Sequence, residues 1–251
     1  VGFRLKAFAY HLAGSASALT LTLGLLYLGW YHWPGWYLAD LPTVLAIMVG
    51  VDVVLGPLLT FIIADPAKAR RVLARDLAAI LLVQLVAFGY GVTTLWHGRP
   101  LYYAFSVNCL SVVQAQDIEQ DSVAAASAPD AALAPHWYSL PRWIWAPLPD
   151  NAEEADKIVQ SAIQGGFDVT ARPAYYRPWE SGAADLRGQL KRVDDIKFFS
   201  LKEQTLLKKR MTALGLATDR ADAIALTGRR RPLLVVFDPS NLRLLAYIEP
   251  N

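Results

Sequence analysis

The chain has 251 residues, 54% of them apolar and 18% charged, against about 25% charged in an ordinary soluble domain. Residues 1–97 hold six of the 24 basic side chains (Arg4, Lys6, Lys68, Arg70, Arg71, Arg75) and four of the 22 acids (Asp40, Asp52, Asp65, Asp76), so residues 98–251 carry no net charge. A membrane-like first part and a globular second part of ordinary polarity exclude a wholly soluble enzyme, a disordered chain and a nucleic-acid binder with its basic patch.

Three apolar runs, at about 7–31, 41–64 and 77–96, each have roughly the 20 residues needed to cross about 30 Å of hydrocarbon as a helix. Helix is the expected form because it satisfies its own backbone polar groups where water is absent. The first run is too long for a cleavable signal, and Trp30, Trp33, Pro34, Gly35 and Trp36 follow it where a small-residue cleavage site would stand. Arg4, Lys6 and the 65–76 loop carry the basic residues, whereas 32–40 has none. The positive-inside bias therefore predicts a cytoplasmic N-terminus, three crossings, and residues 98–251 outside the cytoplasm. Trp30, Trp33, Trp36, Tyr37 and Trp96 share the outer level, as an interfacial aromatic belt would. The expected organisation is a three-helix transmembrane domain at 1–97 and an extracytoplasmic α+β domain at 98–251.

Asp52 lies mid-span, about 10 residues and so roughly 15 Å from the outer end of its run. A charge there is costly unless it is paired or neutralised. Thr20 reaches a similar depth, with Ser17 and Gln84 shallower. Three readings of Asp52 stand open: a protonated carboxyl bonded to another helix of this chain, a contact with a partner's helix, or a proton or ion relay, for which one carboxylate is a poor pathway. Pro57 lacks an N–H, which is expected to free the Val53 carbonyl and kink the second span. Gly50, Gly56 and the small residues Ala13, Gly14, Ser15, Ala16, Ser17 and Ala18 permit close approach of another backbone, either within the bundle or in a docking groove.

In the second part, short antiparallel strands are expected at 101–107 and 110–114, as a hairpin around Asn108-Cys109, and at 142–148. A closing hairpin is expected at 233–237 and 242–248, around Asp238-Pro239-Ser240-Asn241. A helix reaching about residue 164 is capped by Asn151 or Asp150, carries Glu153, Glu154 and Asp156 in its first turn, and stops at Gly165-Gly166. Residues 182–192 form a short helix. Ser200 and Glu203 form a capping box for a helix over 201–214, which Gly215 stops. Residues 122–135 read as a surface loop or linker, and 171–180 as ordered but irregular.

The chain has no G-x-S-x-G, G-x-x-x-x-G-K-[ST], H-E-x-x-H or G-x-G-x-x-G motif. His32 and His97 both belong to the outer surface, where two interfacial histidines are a better reading than a metal pair. Asp194-Asp195 reads as a solvated helix end or turn, and Lys208-Lys209-Arg210 as a helix C-terminus. Arg229-Arg230-Arg231 is either a solvated loop or a contact with anionic lipid, and Cys109 is expected to be buried. No enzyme, cofactor or metal is expected. A membrane-anchored sensory or ligand-binding protein is the alternative to a partner-binding one, but 65–76 is short for a cytoplasmic output. An intramembrane aspartyl enzyme would need a second central carboxylate.

The basic start Arg4-Leu5-Lys6-Ala7-Phe8 with His11-Leu12, and Trp30-Tyr31 before Pro34-Gly35 and Tyr37, form a recognisable opening. The run from Gly50 to Thr60 (GVDVVLGPLLT) is followed by Asp65-Pro66-Ala67-Lys68 and Arg75-Asp76-Leu77. Gln84-Leu85, Tyr90-Gly91-Val92, Arg99-Pro100 and Arg172-Pro173 with Tyr175-Tyr176-Arg177-Pro178 continue the pattern. Over essentially its whole length the chain resembles the type IV pilin accessory proteins of the TfpX/TfpZ type. The resemblance implies a chaperone-like helper of the bacterial inner membrane with a periplasmic C-terminal domain. Its partner would be the major type IV pilin, helix and periplasmic head, and its role the pilin's stability, pilus assembly or dynamics. It carries over no site residues. The coincidence of intramembrane polarity, kink and small residues selects Asp52, Gly56, Pro57, Thr20 and Gln84 as candidate partner contacts, with spans one and two docking the pilin helix.

Overall fold

A computed structural model describes residues 2–125, 130–192, 195, 200–216, 222–230 and 232–249. All three apolar runs are helices: α1 (Gly2–Tyr31), α2 (Leu41–Ile63) and α3 (Arg70–His97), each long and apolar enough to cross a membrane. Their outward faces are apolar too: Leu21, Leu82, Val83 and Val86 are all exposed. A helix apolar all round suits a lipid surround. These helices lie in one compact unit, Val1–Arg99, and the rest of the chain forms a second, Pro100–Asn251.

In the first unit the regular winding is interrupted twice by π-helical turns, at Tyr27–Tyr31 and at Val49–Leu55. The second falls before Gly56-Pro57, where the α-winding of α2 resumes over Gly56–Ile63. Proline is tolerated there because first-turn N–H groups have no partner within the new α-helical segment. In the connection to α3, the Asp65 carboxylate accepts from the Ala67 N–H at 3.0 Å and pairs with Arg4 at 2.9 Å. The Ala67 N–H, and then the Arg4 guanidinium, hold its carboxyl below the usual 3.8. At the other end of the unit, Leu19, Leu26, Tyr31, Met48 and Leu95 form a core. The Tyr31 hydroxyl donates to the Leu95 carbonyl at 2.8 Å. Trp30 meets Trp96 edge-on at 5.1 Å, and the Arg99 guanidinium lies 4.1 Å from the Trp96 ring centre.

The second unit is built on an eight-stranded sheet. Its strands are β1 (Pro100–Ser106), β2 (Cys109–Gln114), β3 (Arg142–Trp145), β4 (Arg177–Pro178), β5 (Lys191–Arg192), β6 (Asp222–Thr227), β7 (Leu233–Phe237) and β8 (Leu244–Ile248). The order is β4-β3-β1-β2-β6-β7-β8, with β5 also on β6. Both expected hairpins form, β1 with β2 and β7 with β8. The short antiparallel strands are joined into a mixed sheet, because β1 pairs β3 in parallel and β2 pairs β6 in parallel. Each parallel pairing joins segments far apart in sequence, as the long crossover it requires dictates. The third strand stops at Trp145 rather than 148. Pro147 lacks the N–H to continue a ladder.

Among the described residues four α-helices accompany the sheet: α4 (Gln120–Ala125), α5 (Ala152–Ile163), α6 (Ala183–Gln189) and α7 (Leu201–Ala213). The Asn151 side chain accepts from the Glu154 N–H, and Ser200 with Glu203 makes the full capping box. α7 lays Leu207 and Met211 on Ala223, Leu234, Val236 and Ile248. All of β1 and β7 is buried, as strands covered on both faces should be. The expected helix over 182–192 is shorter, because Lys191–Arg192 turns out to pair β6. Part of the expected 122–135 loop is helical in α4, and residues 126–129 of it lie outside the described residues. So do Asp194 and Arg231, while Asp195 is exposed. Cys109 is exposed rather than buried, because it opens β2 directly after the Val107-Asn108 turn.

Candidate functional site

Every fourth residue of α2 through its polar stretch is buried: Met48, Asp52, Gly56 and Thr60. The buried residues of α3 are Ile80, Gln84, Gly91 and Leu95. These two rows fit each other by two reciprocal exchanges. Gln84 of α3 lies over Gly56 of α2, where a methyl at Gly56 would fall 1.7 Å from the Gln84 Nε2. Met48 of α2 lies over Gly91 of α3, where a methyl would fall 2.8 Å from the Met48 sulfur. Glycine lets a long side chain from the neighbour take the room its own side chain would fill.

The Gln84 amide also answers a backbone defect. Across the π turn the Gly56 N–H donates to the Val51 carbonyl, five residues back. By the same register the Asp52 carbonyl would look to residue 57, which is proline and has no N–H. Gln84 Nε2 donates to the Asp52 carbonyl at 3.3 Å. In this register the carbonyl that lacks a donor at Pro57 is that of Asp52, five residues back, and Gln84 serves it.

Four of the five sequence-derived candidates, Asp52, Gly56, Pro57 and Gln84, are buried, and Gln84 meets both Gly56 and the Asp52 carbonyl, while Thr20 is exposed on α1. That contact lies between α2 and α3. Asp52 and Gln84 are 4% and 7% exposed, and their Oδ2 and Oε1 atoms have no hydrogen-bond partner among the described residues. Alongside Gln84 a cavity of about 270 Å³ is lined by Val51, Leu55, Leu59, Ile80 and Val83, among others. Leu55 and Val83 at its edge are exposed.

Sequence reasoning missed the polar link between α1 and α2. The His11 Nδ1 lies 2.6 Å from the Thr60 hydroxyl, and Thr60 is buried. The signal was present: one imidazole and one hydroxyl, each near the basic end of an apolar run, with Arg4 and Asp65 pairing just beyond them. His97 Nδ1 lies 2.9 Å from the Thr93 carbonyl one turn back. No group of three or more metal-ligating side chains occurs among the described residues.

The fold and the α2–α3 contact define an apolar three-helix unit with a polar interior, joined in sequence to a separate α+β unit. The chain is 27% identical over 253 residues to the "Fimbrial assembly protein, serogroup I" of Dichelobacter nodosus, across 98% of this chain and 95% of the relative. It is 26% identical over 252 residues to that organism's serogroup E1 protein, with the same coverage. It is 30% identical over 121 residues to the serogroup C1 and C2 protein, across 48% of this chain and 92% of that relative. The chain belongs to this family of fimbrial assembly proteins. No protein-family model and no solved structure gives a significant match.

Proposed function

We propose that this chain is a three-pass inner-membrane protein that supports type IV pilus assembly by holding the major pilin before or during its incorporation. The observation that carries the reading is likeness to fimbrial assembly proteins over 98% of the chain. The architecture suits the task. A pilin awaiting assembly exposes a hydrophobic helix in lipid and a head outside it. A partner with an apolar helical unit and a separate folded unit offers a surface for each. In this reading α1 starts in the cytoplasm, residues 98–251 fold in the periplasm, and the protein acts as a chaperone-like accessory of the TfpX/TfpZ kind rather than as an enzyme. The basic residues at Arg4, Lys6 and 68–75 support that orientation.

The test is a deletion strain together with a tagged full-length copy extracted in mild detergent. Loss of surface pili with lowered pilin, and co-purification of pilin with the tagged chain, are the expected results. Normal pili and no pilin in the purified material would overturn the proposal.

A further inference from the structure

We propose that one end of the second unit's sheet, the end at which the chain enters it, binds the bilayer surface. Trp137, Tyr138 and Leu140 sink among the lipids there, and Arg229 and Arg230 meet anionic head groups. This rests on the three-pass reading and adds a lipid-binding surface on the folded unit itself.

The strand register brings these residues to one end. β1 starts at Pro100, three residues after α3 ends at His97, so the sheet is tethered to the span by that end. β3 runs parallel to β1, with Arg142 opposite Tyr102, so residues 136–140 lead into the sheet from the same end. β2 runs back to that end, where Gln114 faces Pro100, and β6 runs parallel to β2, with Thr227 opposite Ser111. The turn after β6, with Arg229 and Arg230, therefore stands at that end as well. An ion pair fixes it there: the Arg229 guanidinium lies 3.6 Å from the Asp117 carboxylate, which accepts from the Gln114 N–H at 3.1 Å. β3 and β6 are three strand spacings apart, about 14 Å, and the tethered β1 lies between them.

The chemistry of the two turns suits a bilayer. Trp137, Tyr138 and Leu140 are 72%, 59% and 59% exposed. Their turn is held in place, since the Ser139 N–H donates to the His136 carbonyl at 3.0 Å and the His136 N–H to the Ser139 hydroxyl at 2.8 Å. The Arg142 guanidinium ties the preceding segment to β3 by donating to the carbonyls of Ala132, Leu133 and Ala134. Large apolar side chains grouped on a fixed turn mark a contact surface. Tryptophan and tyrosine, with an apolar body and a polar tip, gather at head-group level. Arg229 and Arg230 are exposed in the other turn, and arginines near a bilayer are drawn to anionic lipid within a Debye length. The β1–β2 turn at the opposite end, Val107-Asn108, carries neither an aromatic nor a basic residue. A bilayer is the partner that the tether already brings to this end, and a flat surface can meet two turns about 14 Å apart at once.

The test uses the full chain, purified and placed alone in phosphatidylethanolamine vesicles with and without phosphatidylglycerol. In a Cys109→Ser background, a spin label is attached through Tyr138→Cys or, at the opposite end of the sheet, through Asn108→Cys. With phosphatidylglycerol present, the label at 138 should lie at head-group depth, relaxed more by oxygen than by an aqueous nickel chelate, and the label at 108 should lie in water. Omitting phosphatidylglycerol, or combining Arg229→Gln with Arg230→Gln, should lower the ratio of docked to undocked label, by about fivefold for each arginine. A label at 138 as water-exposed as the one at 108 in both lipids would overturn the proposal, as would label–label coupling that places 138 against a second copy. A docked label indifferent to phosphatidylglycerol and to both arginines would overturn the head-group contact. The topology is read separately: a membrane-impermeant thiol reagent should reach Asn108→Cys in spheroplasts, and labelling only after lysis would overturn the three-pass reading whatever the lipid result.

Discussion

Gln84 occupies the space that a side chain at Gly56 would need, with its Nε2 1.7 Å from where the first carbon would stand. The same Nε2 bonds the Asp52 carbonyl at 3.3 Å. The two facts are one device. Pro57 removes a donor from α2, the π turn sets the Asp52 carbonyl opposite that gap, Gly56 opens the way in, and Gln84 supplies a donor from α3.

Gly56→Ala should therefore be among the most damaging single-methyl additions in the first unit. The Gln84 amide must leave, which adds overpacking and strands the Asp52 carbonyl, together about 2–4 kcal/mol. Gly91→Ala is the control. It meets the flexible end of Met48 at 2.8 Å, which can swing aside, so about 1 kcal/mol is expected. Reversible unfolding of both variants in detergent micelles compares them. Equal costs would show that Gln84 is no more fixed than Met48.

Pro57→Ala tests the replaced donor. With proline present, Gln84→Leu should cost about 1–2 kcal/mol by leaving the Asp52 carbonyl unpaired. With Pro57→Ala the backbone regains an N–H that can serve that carbonyl, and Gln84→Leu should then cost little. The double-mutant cycle should show a coupling of about 1 kcal/mol. An unchanged cost for Gln84→Leu would mean that the amide does not stand in for the missing N–H.

The sequence made the local features legible and the distant partners obscure. The three long helices were readable because an apolar run of about 20 residues has the length and composition of a helix able to cross a membrane. Both helix caps, Asn151 to Glu154 and Ser200 to Glu203, were readable because the partners lie three residues apart. Asp52, Gly56 and Gln84 drew notice through their cost or smallness in lipid. Which of them meet depends on how the helices are rotated, and the π turn moves the register by one residue. β6 was missed because DAIALT carries two alanines and little β-branching, yet it pairs into the middle of the sheet through β2, β5 and β7. Its parallel pairing with β2 joins Leu110 to Leu226, a relation that no local pattern encodes.

The Asp65 contact should respond to acid in a defined direction. Its carboxyl is held below 3.8 by the Ala67 N–H and by Arg4. A depressed value means that the stabilising contribution is complete above 3.8 and is lost as pH falls through the lowered value. Protection of the Ala67 amide from hydrogen exchange should therefore be flat, after correction for intrinsic rates, from neutral pH down to 3.8, and be lost at lower pH. Asp65→Asn should abolish that step. A step that persists in the Asn variant would assign the effect to another group.

In the second unit, the β1–β2 turn carries a residue ill-suited to its backbone. Val107 has a φ of 48°, and its side chain is 56% exposed. Left-handed backbone costs an L-residue roughly 1–2 kcal/mol, and β-branching makes valine one of the worst choices. The strands on either side fix the turn, since Ser106 faces Cys109 and Phe105 faces Leu110. The exposed side chain gains little from packing, so its removal sacrifices little. Val107→Gly should relieve the strain at the expense of some unfolded-state entropy, for a net gain of about 0.5–1 kcal/mol. Thermal unfolding of the full chain, followed through the second unit's tryptophans, should show a higher midpoint. A lower midpoint would mean that the valine side chain makes a stabilising contact that outweighs its backbone strain.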